Sequence, residues 1–302
     1  EPNPETALHE DTFIHTVMIS GADLQLRPAV QTDQRGIANL IHFSPHVHRH
    51  LDWRSPIDWI GSPPYFVIEN GGEVIAALGC PPDPPAVAWV RLFVNSGTIP
   101  VKESWIILWE RVYKELAGKG QLVVAAIVLQ DWLKEILLSS EFTNSQSIVM
   151  FERDGGSAVE LKPPEALSIR AMMPYDLPAV AEVDASAFAH LWKNTLPALE
   201  RAYPQAVFAT VAEVDGKTIG YQISTRNPLG VHLARLAVQP SLQGRGVGYA
   251  LVADLIHKAA GRGMSHLTVN TQSDNSASLA LYQRLGFHET GECYPVYQLQ
   301  VV

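Results

Sequence analysis

The chain has little cysteine, no excess of positive charge and no long apolar run. Its two cysteines, Cys80 and Cys293, are too few for a disulfide framework in 302 residues. Lys and Arg total 22 against 31 Asp and Glu, for a net charge of −9. This balance disfavours a nucleic-acid partner and mildly favours a cationic acceptor such as an amine. No apolar run reaches the roughly 18 residues of a membrane span, and the first residues lack a signal-peptide pattern. We therefore expect a cytoplasmic protein that binds neither nucleic acid nor membrane, with its oligomeric state left open.

The most informative stretch is a glycine-rich turn, Gln243-Gly244-Arg245-Gly246-Val247-Gly248. It follows an apolar run, residues 231–238, that is typical of a buried strand, and it precedes residues 249–256, which are typical of a helix. Glycines allow positive φ and close approach of the backbone to a ligand, and free amides at a helix N-terminus attract anions. The order strand, glycine turn and helix therefore predicts a phosphate site, to which Arg245 could add charge. The alternative is a turn with no ligand.

The class of ligand is indicated by a resemblance to a known family. The stretch lacks the Gly-Lys-Ser/Thr of a Walker loop, and Tyr249 stands where a dinucleotide fingerprint has its third glycine. Gln-x-x-Gly-x-Gly after a Leu-Ala-Val strand instead resembles the pyrophosphate loop of the GNAT superfamily of N-acetyltransferases. Residues 275–287 (NSASLALYQRLGF) are similar to that family's Asn-x-x-Ala-x-x-x-Tyr-x-x-x-Gly-Phe, with Ser278 in place of Ala.

The resemblance implies direct acetyl transfer from acetyl-CoA to an amine of a small molecule or a peptide, with no metal. Tyr282 would donate a proton to the thiolate leaving group, because a phenol with a pKa near 10 can do so. A bulge in the strand before the turn would splay two strands, and the freed backbone would bind the pantetheine arm and the thioester oxygen. The cofactor-binding residues implied are Leu236, Ala237, Val238, Gln243, Gly244, Arg245, Gly246, Val247, Gly248, Asn270, Asn275 and Ser278. Core packing of the strand and of Tyr282 is the alternative.

Several patterns recur along the chain at a nearly constant offset, which predicts a duplicated domain. Arg27 and Arg170 are 143 residues apart, and residues 91–94 match 235–238 at an offset of 144. The predicted fold is α/β, with two tandem GNAT-like domains, each a twisted, mixed, mostly antiparallel sheet flanked by helices. The predicted segments are an N-terminal extension (1–21), a degenerate domain (22–158), a linker (159–166) and the acetyl-CoA-binding catalytic domain (167–302).

The first copy lacks the residues expected to bind the cofactor. At an offset of 144, Pro100, Lys102 and Ser104 stand opposite the three glycines of the turn. Proline fixes φ and has no N–H, so this loop cannot form the same nest of donors. We therefore expect the first copy to be a scaffold, a lid or a wall of the acceptor site. Six of the seven tryptophans lie in it, which favours core packing over an aromatic ligand surface.

Three questions stay open in the sequence. The general base could be Glu213, His232 or Asp184, since a carboxylate or an imidazole would serve. Residues 46–50 (HVHRH) resemble metal spacing, but without a fourth ligand we interpret them as a loop and predict no metal site. A non-catalytic acyl-CoA sensor or interaction protein is the alternative to an enzyme, although Tyr282 counts against it.

Overall fold

The computed structural model describes residues 15–19, 22–155, 159–160, 164 and 166–302. The strands in these residues are β1 (His15–Ile19), β2 (Ala22–Pro28), β3 (His46–Arg49), β4 (Tyr65–Asn70), β5 (Glu73–Gly79), β6 (Val87–Trp89), β7 (Leu92–Asn95), β8 (Leu122–Ile127), β9 (Thr143–Asp154), β10 (Ser168–Ala171), β11 (Phe208–Val214), β12 (Lys217–Arg226), β13 (Val231–Val238), β14 (His266–Gln272) and β15 (His288–Val301). The helices are α1 (Gln34–Phe43), α2 (Val101–Ala117), α3 (Asp131–Ser139), α4 (Leu177–Ala187), α5 (Leu196–Ala202), α6 (Val247–Ala260) and α7 (Ser276–Arg284). None of these helices has the length and apolarity needed to cross a membrane.

The predicted extension and linker fall partly outside the described residues. Of the extension, residues 1–14 and 20–21 are outside, while the backbone of 15–19 forms β1 and pairs antiparallel with β2. Of the linker, residues 161–163 and 165 are outside. The segment that precedes the first copy thus contributes a strand to its sheet.

An arginine-centred ion network occurs once in each copy and supports the duplication. Its members are Arg27, Asp33 and Glu69 in the first copy and Arg170, Asp176 and Glu213 in the second. In both networks the guanidinium forms two hydrogen bonds, of 2.7 and 2.8 Å, with the aspartate. The same aspartate accepts the backbone amide three residues before it, at the start of the first helical segment. A matching network at matching positions is the geometry that a duplicated sequence produces.

The strands form two sheets, and the larger sheet contains strands from both copies. Six strands in the order β1-β2-β4-β5-β7-β3 form the first sheet, and nine in the order β10-β11-β12-β13-β14-β9-β15-β8-β6 form the second. Only the β13–β14 and β6–β8 pairs are parallel. Both lie in the nine-stranded sheet, which is therefore mixed and mostly antiparallel, as the sequence predicts, whereas the described pairs of the six-stranded sheet are all antiparallel.

The two copies exchange their last strands. β9 of the first copy lies between β14 and β15 of the second, and it pairs antiparallel with both. In return, the end of β15 pairs with β8 of the first copy through residues 296–301. The hydrogen-bonded sheet thus continues across the proposed boundary at 159–166, which separates two sequence repeats.

Candidate active site

A wedge opens in the large sheet between β13 and β14. The two strands pair only over the first three residues of β13, and the last pair joins Leu233 to Val269. The ladder from β13 to β12 skips Ala234, which is a β-bulge. A bulge bends its strand and increases the local twist, so the rest of β13 diverges from β14. The expected bulge is therefore present, just before the predicted residues Leu236, Ala237 and Val238.

The glycine turn ends this strand and leaves a row of backbone donors unpaired. Gly244 and Gly246 have φ of +72° and +86°, which glycine adopts without strain. Helix α6 begins at Val247, two residues before the range 249–256 that the sequence indicates as helical, so Val247 and Gly248 belong to both the turn motif and the helix. The amides of residues 244–248 donate no hydrogen bond to any described residue. Together with the helix dipole they can hold an anion.

Side chains brace this turn without filling it. The Gln243 side-chain amide donates to the Val238 carbonyl at 3.0 Å and ties the turn to the strand end. Arg245 is exposed, and a Cβ placed on Gly244 would meet no atom within 4 Å. Among the described residues, the turn is therefore open to solvent at Gly244, whereas Pro164 of the linker lies against Gly246.

The first copy has a shorter and closed equivalent of this turn. The loop between β7 and α2, residues 96–100, is three residues shorter than the loop between β13 and α6, residues 239–246. Inside it, the Asn95 amide donates to the Ile99 carbonyl at 3.2 Å and to Ser104 Oγ at 2.7 Å. The pairing of Pro100 with Gly244 at a constant offset of 144 is wrong, because this deletion shifts the register. Pro100, with φ of −54°, precedes α2 at the position where Gly246, with φ of +86°, precedes α6.

A cavity of about 380 Å³ lies beside the wedge and is lined by both copies. The second copy contributes residues 232–236 of β13, 269–272 of β14, one face of α7 and residues 191–195 before α5. The first copy contributes residues 50–53 together with Asp83, Trp89 and Arg91. The first copy therefore forms a wall of the cavity, as one of the sequence alternatives held.

Tyr282 lines this cavity from α7 and is only 4% exposed. Its ring packs against Phe287 at 5.8 Å and against Phe151 of the exchanged strand β9 at 6.1 Å. Burial raises the pKa of its phenol above the ordinary value, and a hydrogen bond with Ser278 opposes the shift. The hydroxyl is therefore protonated at neutral pH and can donate a proton.

The start of α7 is fixed by a side-chain cap. Asn275 is the N-cap residue, and its side-chain oxygen accepts the Ser278 amide at 3.1 Å. Both residues line the cavity, as does Asn270 at the exposed end of β14. Three of the predicted cofactor contacts thus share one wall with Tyr282.

Two of the three candidate bases are held in structural networks. Asp184 is fully buried and accepts hydrogen bonds from Arg235 Nε at 2.7 Å and Nη2 at 2.8 Å, and from the Tyr221 hydroxyl at 2.5 Å. Glu213 binds Arg170, as described above. Neither carboxylate is available as a base, because its oxygens are already bound to cationic or hydroxyl donors. The hypotheses for Asp184 and Glu213 are therefore wrong.

His232 is the remaining candidate base. It lines the cavity from β13, and its Nδ1 lies 2.9 Å from Thr268 Oγ1. Burial lowers the pKa of its imidazole, and a hydrogen bond with Asn270 opposes the shift. The ring is therefore neutral at pH 7 and can accept a proton.

The histidines of residues 46–50 do not converge, and the interpretation of this stretch as a loop is wrong, because residues 46–49 form strand β3. His48 is buried with its Nε2 3.0 Å from the Val90 carbonyl, and burial lowers its pKa to about 4. The rings of His46 and His50 contact Trp132 and Trp89. Elsewhere in the described chain, one group of three possible metal ligands lies within 4.8 Å; it consists of Glu152, Asp154 and His266 and is outside the cavity lining.

Comparison with known proteins identifies the family. Residues 177–287 match the model of the acetyltransferase (GNAT) family. The chain is 30% identical over 122 residues to the ribosomal protein bS18-alanine N-acetyltransferase of Escherichia coli, a match that covers 40% of this chain and 81% of that protein. The chain belongs to the GNAT family of acetyltransferases.

Other relatives of this GNAT chain match a smaller share of their own length. It is 34% identical over 145 residues to the mycothiol acetyltransferase of Streptomyces coelicolor, covering 43% of this chain and 46% of that protein. A second mycothiol acetyltransferase, from a Nocardioides species, is 28% identical and covered over 59% of its length. The chain thus spans about half the length of these curated relatives.

Solved structures share the fold over nearly the whole chain. A GCN5-related N-acetyltransferase from Sphaerobacter thermophilus has a TM-score of 0.62 at 17% identity, covering 92% of this chain and 96% of its own. A tandem GNAT protein from the clavulanic acid biosynthesis pathway has a TM-score of 0.61 at 15% identity, covering 92% and 99%. The predicted fold class, two tandem GNAT-like units, is confirmed.

The GNAT site predicted from sequence is in two parts. Leu236, Asn270, Asn275, Ser278 and Tyr282 line the cavity. The turn, residues 243–248, lies outside this lining, beyond the end of β13. Arg91 and Arg235 also line the cavity, and neither was predicted as a site residue. Their matching positions in the two copies, 144 residues apart, were the sequence signal that could have identified them.

Proposed function

We propose that the chain is an acetyl-CoA-dependent N-acetyltransferase that transfers acetyl directly to an amine of a small molecule or a peptide. The observation that carries this proposal is the position of Tyr282. Its side chain is buried at the lining of the cavity, and the adjacent wedge between β13 and β14 opens toward the turn of unpaired amides. The relatives support it, since one is named a mycothiol acetyltransferase and another a ribosomal protein bS18-alanine N-acetyltransferase.

The pyrophosphate of acetyl-CoA would bind the amides of residues 244–248, where the α6 dipole adds to the attraction. The pantetheine arm would enter the wedge, because residues 235–238 of β13 have no strand partner on that side. Their free backbone groups are suitable donors and acceptors for an amide chain and for the thioester oxygen. This assignment uses the predicted residues Leu236, Ala237 and Val238 through their backbones.

The chemistry requires one bond to form, one to break and two proton movements. The amine nitrogen attacks the thioester carbonyl carbon, and the tetrahedral intermediate then collapses with cleavage of the C–S bond. His232 takes the proton that the nitrogen loses, directly or through water. The Tyr282 hydroxyl gives its proton to the departing sulfur, after which solvent returns a proton to Tyr282 and takes the proton from His232. Acetyl-amine and coenzyme A thiol are the products.

The test is consumption of the acetyl-CoA thioester in the presence of a panel of amines, with the acetylated amine identified by mass spectrometry. We expect turnover with at least one amine and its loss in Gly246→Asp, which places a carboxylate in the anion site. Gly263→Asp is the matched control, because Gly263 also has positive φ, has open space around it and follows the other end of α6. Tight acetyl-CoA binding without transfer to any amine would favour the acyl-CoA sensor instead.

A further inference from the structure

The wall that the first copy contributes to the cavity is aromatic. The His50 imidazole stacks on Trp89 with ring centres 4.4 Å apart and planes 21° from parallel. Trp89 in turn lies 5.2 Å from Trp192 of the second copy. All three side chains line the cavity. A ligand with a flat apolar face can pack here across the junction of the two copies.

Two buried polar atoms on this wall have no partner. His50 Nδ1 and Arg91 Nε are inaccessible to solvent and form no hydrogen bond with any described residue. Arg91 is only 6% exposed, although its Nη1 donates to Asp52 at 2.8 Å and its Nη2 to the Asp83 carbonyl at 3.2 Å. Buried polar groups in native proteins are almost always paired, so a ligand oxygen that reached these two atoms would supply hydrogen bonds that the described chain does not.

The wall carries no surplus positive charge. The Arg91 guanidinium is neutralised by Asp52, and the Asp83 carboxylate, bonded to Thr195 Oγ1 at 3.0 Å, adds a negative charge. Burial, with Arg91 as a smaller contribution, lowers the pKa of His50 well below the ordinary value, so its ring is neutral. Asp52 and Asp83 would repel a carboxylate or phosphate at this point, whereas an uncharged oxygen could accept a hydrogen bond from Arg91 Nε–H and, in the tautomer that carries its proton there, from His50 Nδ1.

We propose that the first copy recognises the far end of the acceptor amine through an uncharged oxygen and an adjacent flat face, with His50, Trp89 and Arg91 as the subsite. The inference rests on the proposed function of the cavity and narrows its substrate class. Sugar hydroxyls and peptide carbonyls both supply such an oxygen. The aromatic wall accepts the face of a sugar ring or of a planar amide.

The first experiment uses the unaltered chain with matched pairs of amines. Glucosamine is compared with glucosamine 6-phosphate, and the dipeptide amide alanyl-glycinamide with alanyl-glycine. The pairs distinguish the two sources of oxygen, and within each pair the far end changes from uncharged to anionic, with almost no change of size in the dipeptide pair. We expect kcat/KM to favour the uncharged member of the accepted pair by about tenfold, the equivalent of one hydrogen bond gained or one charge rejected. Preference for the charged member would overturn the inference.

The second experiment removes the ring nitrogens of His50. His50→Phe keeps a ring on Trp89, and we expect it to raise the KM of the acceptor about tenfold while the KM of acetyl-CoA stays unchanged. His46→Phe is the control, since His46 also has a buried Nδ1 without a partner but lies outside the cavity lining.

An unchanged acceptor KM in a folded His50→Phe protein would contradict the subsite. Should that variant fail to fold, the amine pairs decide alone. Absence of transfer to every amine by the unaltered chain refutes the proposed function, and this inference with it. Transfer with no preference between charged and uncharged amines refutes the inference only.

Discussion

The exchange of β9 predicts that the second copy cannot fold alone. A chain of residues 160–302 keeps β10 to β15 and the whole glycine turn but loses β9, which fills the gap between β14 and β15. Every residue of β14 is paired with β9, from His266 opposite Asp154 to Gln272 opposite Ile148. Removing β9 leaves two unpaired strand edges in the middle of a sheet, a known cause of aggregation.

The loss can be sized from two buried side chains of β9. Phe151 is fully buried and packs on Tyr282, and Ile148 is 4% exposed. Truncating a buried Phe costs about 3–5 kcal/mol and a buried Ile about 2–5 kcal/mol. Their sum, roughly 5–10 kcal/mol, is comparable to the whole free energy of unfolding of a typical domain, about 5–15 kcal/mol. The shortened chain is therefore expected to lack a stable fold.

The assay is urea unfolding followed by circular dichroism, together with acetyl transfer, on chains 160–302 and 143–302. The longer chain restores β9 and is the matched control, although its β15 lacks the partner β8. We expect no cooperative transition for 160–302 and a weak one for 143–302. A cooperative transition of 160–302 at the full-length midpoint, with full transfer activity, would refute the reasoning.

Three further perturbations act on separate parts of the chain. Calorimetric titration should give one acetyl-CoA site per chain and none in Gly246→Asp; two sites, or binding that persists in the variant, would contradict the assignment. Tyr282→Phe should leave acetyl-CoA binding nearly intact and lower kcat by up to about 10²–10⁴-fold, so an unchanged kcat in single-turnover measurements removes Tyr282 from the mechanism. Burial lowers the pKa of His48 from 6.5 to about 4. Between these two pH values the imidazole is protonated in the unfolded chain and neutral in the folded chain. The free energy of unfolding therefore falls by up to roughly 3 kcal/mol as the pH drops through this range. Replacement of His48 by Gln should flatten this acid dependence, and an equally steep dependence in the variant would refute its origin.

Local patterns were sufficient to predict the elements that surround the glycine turn. The turn and the α6 helix depend on residues close together in the chain, where glycine and helix periodicity act directly. The presence of a bulge near Leu236 was expected from the family resemblance. It is found at Ala234.

Long-range pairing explains what the sequence argument missed. The backbone of β9 could pair with strands of either copy, so its exchange leaves no mark on the local pattern. Asp184 is on a helix with polar and apolar residues alike, and only its ion pair with Arg235, 51 positions later, shows that it is buried. The deletion between β7 and α2 was not recognised because the two copies were aligned at a constant offset of 144, including the loop where their lengths differ.

The cavity wall was the least predictable part of the site. Trp89 and Arg91 are core-like residues of an apolar strand, and their role depends on a break between β6 and β7 that sends these strands to different sheets. Nothing in a single sequence indicates where such a break leaves a side chain facing a cavity.

The most direct test of the account is a crystal structure with acetyl-CoA bound. The account predicts one molecule per chain, with pyrophosphate oxygens on the amides of residues 244–248, the pantetheine arm between β13 and β14, and the thioester sulfur within hydrogen-bonding distance of the Tyr282 hydroxyl. Pyrophosphate bound at the N-terminus of α2, or a sulfur remote from Tyr282, would contradict it.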